Sequence, residues 1–130
     1  MVAYVKIMVL TTCLILNIQG GEKMDTKLYN VSVIDLIANS KKYHNKHVVL
    51  IGFVTLKFEN HALYLSSLDF KHSINKNALW ISLEKNTLEK YNMNIQQYCI
   101  IEGVFNAHKK GHLGMYSGSI EKINRLDAWK

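Results

Sequence analysis

Two aromatic residues are the side chains of this sequence best suited to hold a flat or apolar ligand group. Tyr64 and Trp80 lie in segments 62–67 and 78–83, whose residues alternate in character as in β-strands. The alternation puts Leu63 on the side that faces inward and both rings on the opposite side. We therefore expect Tyr64 and Trp80 to point outward, where rings stack on bases, sugars or protein side chains.

A short basic stretch between two later predicted strands supplies charge for such a site. Lys109, Lys110 and His112 lie within residues 108–112, and we predict that they contact a ligand or partner together with the two rings. A ring-lined groove with lysines at its rim suits a single-stranded nucleic acid or an acidic polymer as well as a protein. The alternative is that Trp80 packs against the rest of the fold and that the lysines are solvated loop ends.

Three histidines have a spacing that metal sites also use. His108 and His112 are four positions apart, and His61 lies in a predicted loop that could approach them. Because a lysine pair and a glycine separate the first two in a predicted turn, the distance between their imidazoles is not fixed as it would be on a helix. No carboxylate lies beside them, as the glutamate of an H-E-x-x-H site would. We therefore predict no metal and no cofactor.

The remaining residues give no catalytic arrangement. Gly111, Gly114 and Gly118 are interleaved with apolar residues in a segment that we predict to be a strand, whereas a phosphate-binding loop leads into a helix. Cys99 alternates with the inward residues of its predicted strand, so we interpret it as a small buried apolar side chain. No serine, histidine and aspartate have a spacing typical of nucleophilic catalysis. We predict that the chain is not an enzyme.

The N-terminal residues have the pattern of an export signal. Lys6 supplies a positive charge before the apolar residues 7–18, which are too few to span a bilayer, and small residues follow at which a signal peptidase can cut. The alternative is a buried N-terminal strand or helix. We place a signal peptide at residues 1–20 and one binding domain at residues 21–130.

The predicted location is the periplasm or the extracellular medium. Lipid anchoring at Cys13 is not expected, because Thr12 is an unusual residue before a lipidated cysteine and the apolar run continues past it. No later segment is apolar enough to cross a membrane. Cleavage after Cys13 leaves Cys99 as the one thiol, so no disulfide within the chain is expected.

Composition limits the chain to one ordinary globular domain. It has 130 residues and a formal net charge of +6, which favours acidic partners in general but is also normal for a solvated surface. Arg125 is the single arginine. Sites that recognise guanine or phosphate with two parallel hydrogen bonds use arginine, so specific base recognition is disfavoured.

The apolar pattern of the proposed domain predicts a helix followed by five strands. Ser32 and Asp35 fit the start of a helix of about three turns. A second, short helix is predicted at residues 87–93, between the third and fourth strands. Gly52 and Gly103 lie inside two long strands, where a missing side chain permits a bend or a bulge. The predicted strands are residues 47–58, 62–67, 78–83, 97–107 and 112–125.

This order of elements favours a mainly β fold. A long bent first strand, a hairpin, a helix between the third and fourth strands and a final hairpin are typical of the oligonucleotide/oligosaccharide-binding (OB) fold. We therefore expect a five-stranded, OB-fold-like Greek-key barrel that is preceded by a helix. The ligand face of such a barrel is formed mainly by its second and third strands, which here carry Tyr64 and Trp80.

Three short segments resemble a known protein family. Residues 43–53 read Y-H-N-K-H-V-V-L-I-G-F, residues 103–106 read G-V-F-N, and residues 111–120 read G-H-L-G-M-Y-S-G-S-I. They are similar to the opening and closing motifs of small exported bacterial OB-fold proteins. The resemblance covers nearly the whole of the proposed domain and implies a fold and an export route, but no particular activity.

The expected function is therefore binding. We predict an exported, non-enzymatic module that recognises a macromolecular partner, most simply a protein, in an inhibitor, immunity or envelope accessory role. The alternative is a single-stranded nucleic acid or an acidic oligosaccharide, held on the aromatic and basic face. A metalloprotein using the three histidines and a purely structural role complete the set of hypotheses.

Overall fold

The computed structural model describes residues 25–57, 59–91 and 94–130. The predicted signal peptide, with Cys13, lies outside the described residues. The elements in chain order are β1 (Leu28–Asn30), α1 (Val33–Ala38), α2 (Ser40–Tyr43), β2 (His47–Lys57), β3 (Asn60–Tyr64), α3 (Ser67–Lys71), β4 (Ala78–Ile81), α4 (Lys85–Lys90), β5 (Gln96–Asn106) and β6 (Ser119–Ala128). Two 3₁₀ turns, Asn75–Asn77 and His112–Gly114, precede β4 and β6.

The strands form one six-stranded sheet that closes on itself. Its order is β1-β2-β3-β4-β6-β5, and β2 also pairs with β5, so the last five strands make a ring. The pairing of β4 with β6 is parallel, and the other four pairings around the ring are antiparallel. The prediction of a mainly β fold is confirmed, but the described residues form six strands and not five, because β1 pairs in parallel with the start of β2.

The long strand β2 serves two neighbours along one edge. Its first residues pair with β1 and its last residues pair with β3, while the other edge pairs with β5 from His47 to Thr55. Gly52 lies between the two pairings, and a Cβ atom there would come within 2.5 Å of Leu63 Cδ2 and 2.7 Å of the Tyr64 carbonyl oxygen. The missing side chain therefore allows β3 to cross close to β2. Gly103 marks a bulge, since the β5–β6 register shifts between Glu102 and Val104.

The N-terminal helix starts as predicted and ends earlier. The Ser32 hydroxyl accepts a hydrogen bond from the Asp35 backbone N–H at 3.0 Å, which caps α1. At Asn39 the backbone leaves the helical region, with φ −122° and ψ 41°, and α2 begins after it. Val33 and Leu36 are the buried residues of α1 and join the core enclosed by the ring.

Two segments differ from their predicted structure. Residues 112–125 were expected to be a strand, but β6 begins at Ser119 and residues 107–118 form a loop, which we call the 107–118 loop. Gly111, Gly114 and Gly118 have φ values of +66°, +66° and +147°, which a strand does not use. The segment between the second and third predicted strands, for which no regular structure was predicted, contains α3, whose cap is the Ser66 hydroxyl.

The helix predicted at residues 87–93 corresponds to α4 (Lys85–Lys90), between β4 and β5, which begins and ends earlier than predicted; residues 92 and 93 lie outside the described residues. Within the described part of the chain, no helix has the length and apolar character needed to cross a bilayer.

Candidate functional site

A pocket of about 280 Å³ contains three of the five residues predicted to bind a partner. Its lining residues are Trp80, Ser82, Lys109, Lys110, Gly111 and Ser119. Trp80 belongs to β4, Ser82 directly follows β4, Ser119 begins β6, and the 107–118 loop supplies the rest. The pocket exists because β4 and β6 run side by side, with Trp80 opposite Ser119, and because the loop folds back across them.

Trp80 is half-buried and forms one wall of this pocket. Its ring stacks on His61 at 5.8 Å between centroids and contacts Tyr116 at 5.3 Å. The Gly111 backbone lies against it so closely that a Cβ atom on Gly111 would be 2.7 Å from the Trp80 Cβ and Cγ atoms. The ring is therefore held on several sides. Trp80 lies on the outer side of the sheet, as predicted. It also packs against other residues of the fold, as the alternative stated, but only in part, because its side chain is half-buried.

Tyr64 does not present its ring to solvent. It is on the predicted side of the sheet, but only 2% of it is exposed. Phe70 of α3 contacts its ring at 5.5 Å, and the Tyr64 hydroxyl donates a hydrogen bond to Asn75 Oδ1 at 2.7 Å. The prediction that Tyr64 points outward into a binding groove is wrong in this respect, because α3 and the turn after it cover the outer face of β3.

The two lysines of the pocket have different partners. Lys109 Nζ lies 2.8 Å from Glu121 Oε1, and Asn106 Nδ2 donates to the other carboxylate oxygen at 3.4 Å. Partial burial opposes ionisation of Glu121, but the hydrogen bonds from Lys109 and Asn106 outweigh it and lower the pKa of the carboxyl group. Lys110 is exposed, and its ammonium group makes no ion pair or hydrogen bond with any described residue.

Side chains outside the 107–118 loop fix its first residues. Asn106 Oδ1 accepts hydrogen bonds from the backbone N–H groups of His108 and Lys109, at 2.9 and 3.2 Å. The Ala107 N–H donates to His44 Nδ1 at 3.1 Å, and the His44 ring contacts the His108 ring at 4.3 Å. The chain therefore leaves β5 in a defined direction and does not continue as a hairpin.

The last residues of the loop are equally fixed. The Tyr116 hydroxyl donates to Asn60 Oδ1 at 3.0 Å, and its backbone N–H donates to the Lys110 carbonyl at 3.1 Å. The Ser117 hydroxyl donates to the Lys76 carbonyl at 2.6 Å. Burial raises the pKa of the Tyr116 phenol far above its usual value, so the group stays a hydrogen-bond donor. The loop is therefore closed at its base by hydrogen bonds at both of its ends.

The tip of the loop is apolar and exposed. Leu113 is 80% exposed and has φ +55° and ψ +17°, in the left-handed region that leucine rarely adopts. Met115 is also exposed, and His112 begins the 3₁₀ turn beside them. His112 was predicted to bind with the lysines, but it does not line the pocket. The alternation of apolar and polar residues in the sequence does not predict a strained, exposed leucine on a well-fixed loop.

The histidines are distributed over different contacts. His61 stacks on Trp80, whereas His108 lies against His44. No three His, Cys, Asp or Glu side chains in residues 25–57, 59–91 and 94–130 are grouped so that they could hold a metal ion. His61 Nε2 is buried without a hydrogen-bond partner among the same residues, and burial lowers the pKa of this imidazole.

Several residues of the site were missed from the sequence. Asn106 accepts hydrogen bonds from the backbone N–H groups of the residues that follow it. It could have been found from the sequence, because an asparagine at the end of a strand is a recognisable turn signal. Ser82 and Ser119 carry no such signal, since small hydroxyl residues are common in strands and loops alike.

Comparison with known proteins adds no relative to these observations. A scan against protein-family models finds no match for this chain, and searches of curated proteins and of solved structures find no similar protein. The resemblance to exported OB-fold proteins therefore stays a prediction, and function has to be argued from the loop and the pocket.

Proposed function

We propose that this chain is a non-enzymatic binding module that recognises a protein partner through the tip of the 107–118 loop and the pocket beside it. The observation that carries the proposal is the exposure of Leu113 in a left-handed conformation. Such a conformation costs about 1–2 kcal/mol for a residue other than glycine. An apolar side chain held in solvent at that cost is well suited to enter a pocket on another protein.

The fixed conformation of the loop supports the same function. Binding a flexible loop costs the entropy of ordering its side chains and backbone, and a preformed loop avoids much of that cost. Here hydrogen bonds that loop residues donate to Asn106, His44, Asn60 and the Lys76 carbonyl hold both ends of the loop. Leu113, Met115 and the free charge of Lys110 lie between those ends.

The proposal extends to the fold and the location of the protein. The closed ring of five strands, with α4 between β4 and β5, supports an OB-fold-like barrel with β1 added. The pattern of residues 1–20 supports export to the periplasm or the medium. A small exported domain that binds through a loop suits the role of an inhibitor, an immunity protein or an envelope accessory factor.

Affinity capture with matched variants tests this function. The tagged full chain is used as bait with envelope and secreted fractions of the source cells, next to Leu113→Asn and Ile34→Asn variants. Asparagine accepts the left-handed conformation, so L113N removes the apolar tip without straining the loop. Ile34 is 61% exposed on α1 and makes a control of the same chemistry.

We expect one stoichiometric protein to be retained by the wild type and by I34N, and at least tenfold less of it by L113N. Equal capture by all three baits contradicts the proposed role of the loop.

A second candidate has its own supporting observation. Trp80 and Lys110 lie in one pocket, which fits a ring of an acidic oligosaccharide or a base of a single-stranded nucleic acid. Salt separates the candidates, because phosphate contacts make the logarithm of the affinity fall linearly with the logarithm of the salt concentration. A steep slope with oligonucleotides, together with equal capture by the three baits, would favour this function.

A further inference from the structure

The pocket beside the 107–118 loop contains a buried hydroxyl group that lacks a partner. Ser119 is fully buried, with 0% exposure, and its Oγ atom has no hydrogen-bond partner among the described residues. The residue nevertheless lines the pocket, together with Ser82. An unsatisfied buried polar group costs about 1–3 kcal/mol, so a ligand that brings an acceptor to Ser119 recovers free energy on binding.

The charges around the pocket match a ligand with a single negative charge. Lys109 is neutralised by Glu121 at 2.8 Å, whereas the Lys110 ammonium has no carboxylate partner in the described part of the chain. One cation is therefore uncompensated. A doubly charged phosphate would leave one negative charge unpaired close to the Glu121 carboxylate, which disfavours it.

The part of the pocket wall that Trp80 forms is apolar. The Trp80 ring is held in place by His61, Tyr116 and the Gly111 backbone, so it meets a ligand as a fixed surface. A fixed indole favours a ligand group whose carbon chain lies next to its charged end. Acidic side chains of proteins combine methylene groups and a monovalent carboxylate in this way.

We propose that this pocket binds a glutamate or aspartate side chain of the protein partner. Lys110 pairs with the carboxylate, the hydroxyl groups of Ser119 and Ser82 donate hydrogen bonds to its oxygens, and Trp80 packs on the methylene groups. The inference rests on the proposed function, because it assigns the partner an acidic residue next to the surface that receives Leu113.

The site is testable without the partner. The probe is N-acetyl-glutamate N-methylamide, titrated into the ¹⁵N-labelled full chain, and the readouts are the backbone amides of Gly111 and Ser119 and the indole N–H of Trp80. We expect saturable shifts of these signals at millimolar probe concentration. The glutamine analogue has the same shape without the charge, and we expect it to bind at least tenfold more weakly.

Two substitutions separate binding from structure. Lys110→Gln is expected to weaken binding of the probe about tenfold, whereas Lys71→Gln, at an exposed lysine on α3, leaves it unchanged. Ser119→Ala removes a hydroxyl that has no described partner, so it should weaken binding and leave the urea unfolding midpoint equal or higher. A clearly lower midpoint for S119A would mean that the hydroxyl already has a structural role, and would overturn the proposal.

Other probes define the remaining outcomes. Tighter binding of glucuronate than of the glutamate probe would replace the protein side chain with an acidic glycan, and equal binding of inorganic phosphate would reduce the pocket to an unselective anion site. Either result, or the absence of saturable shifts, overturns the inference. These titrations do not involve Leu113, so their failure is distinct from a failure of the capture experiment.

Discussion

Gly111 determines the shape of the pocket at the level of a single residue. Its φ of +66° and ψ of −157° lie in a region that is essentially restricted to glycine, and its missing Cβ leaves room for the Trp80 ring. In Gly111→Ala both the backbone and the ring would have to move. We expect this substitution to lower the free energy of unfolding by about 3 kcal/mol, from backbone strain and overpacking together.

Gly114 provides the control for this prediction. It has the same φ of +66°, but a Cβ atom there would meet no other atom within 4 Å. Gly114→Ala should therefore cost only the left-handed backbone, about 1 kcal/mol. The measurement is urea unfolding of both variants. Equal losses for the two would show that the Trp80 ring yields to the added methyl group.

His61 makes stability depend on pH. Burial disfavours the imidazolium form and lowers the pKa of His61 below its usual value of 6.5. Below that pH the unfolded chain binds a proton at this residue more readily than the folded one, so the stabilisation is present above about pH 6.5 and is lost as the pH falls. We expect the free energy of unfolding to decrease between pH 7.5 and pH 5.

The contribution of His61 is isolated by comparing variants. His61→Phe keeps a ring against Trp80 and removes the titrating group, so its unfolding free energy should decrease less over the same pH range. His72→Phe, at an exposed histidine, should retain the wild-type dependence. The interpretation fails if H61F and the wild type lose stability in parallel.

For single residues, the sequence predicts which side chains belong to the site better than it predicts how exposed those side chains are. Alternation places Trp80 and Tyr64 on the outer side of the sheet, and both are there. It does not reveal that Phe70, on a helix several residues away, covers Tyr64, because that contact depends on how α3 returns to the sheet. Ser119 is missed for the same reason, since the pocket that it lines forms only when the chain has folded.

Among the elements, the 107–118 loop depends on Asn106. Its amide side chain accepts from two backbone N–H groups and donates to Glu121, so Asn106→Ala removes three hydrogen bonds at the start of the loop. We expect amide hydrogen exchange at His108 and Lys109 to become about tenfold faster, given about 1 kcal/mol for a typical hydrogen bond.

The matched control is Asn124→Ala. Asn124 is an exposed asparagine in another part of β6, and its side chain donates a hydrogen bond to Glu102 of β5 at 3.0 Å. It should leave exchange at His108 and Lys109 unchanged. If the N106A variant exchanges at these two amides like the wild type, the loop is held mainly by its other contacts.

The boundaries of elements were predictable where a local contact sets them. The start of α1 follows from a cap between Ser32 and Asp35, which are three positions apart. The start of β6 does not, because Leu113 and Met115 alternate with glycine and so imitate a strand. The loop conformation there is set by long-range contacts such as that of Tyr116 with Asn60, and a periodic pattern contains no information about them.

For the molecule as a whole, Cys99 reports on opening of the ring. It lies in the middle of the sheet, opposite Gly52 of β2 and Ala128 of β6, and burial raises the pKa of its thiol. In a C13S variant it is the single thiol of the chain. We expect a thiol reagent to label it only when the ring opens, so that the rate of labelling follows the free energy of unfolding.

A core substitution calibrates this measurement. Leu126 is buried opposite Ile101, and Leu126→Ala in the C13S background should cost at least about 2 kcal/mol and accelerate labelling about thirtyfold or more. Leu68→Ala, at an exposed leucine on α3, should leave the rate unchanged. Rapid labelling of unperturbed C13S protein would contradict the burial of the thiol.

The overall class of the fold was predictable, and its closure was not. The long apolar runs of β2 and β5 and the mid-strand glycines identify a mainly β chain with α4 inserted before β5. Strand β2 pairs with β5, and β4 pairs in parallel with β6. Both pairings join residues that are far apart in the sequence, and nothing in either segment's pattern indicates its partner. Strand β1 was missed because three residues are too few to establish an alternation.

The closed ring also governs how copies of this protein meet at high concentration. A strand with a free edge offers unpaired N–H and C=O groups on which another chain can add, and this is the usual start of ordered aggregation. Each of the five ring strands has a neighbour on both sides, but β4 pairs only with Ser119 and Ile120 of β6. Within the described residues, free strand edges therefore remain on the three residues of β1 and on residues 121–128 of β6. The β1 edge is short and lies beside Lys27, and the β6 edge carries the exposed charges of Lys122 and Arg125, so both are poor templates for a growing fibril.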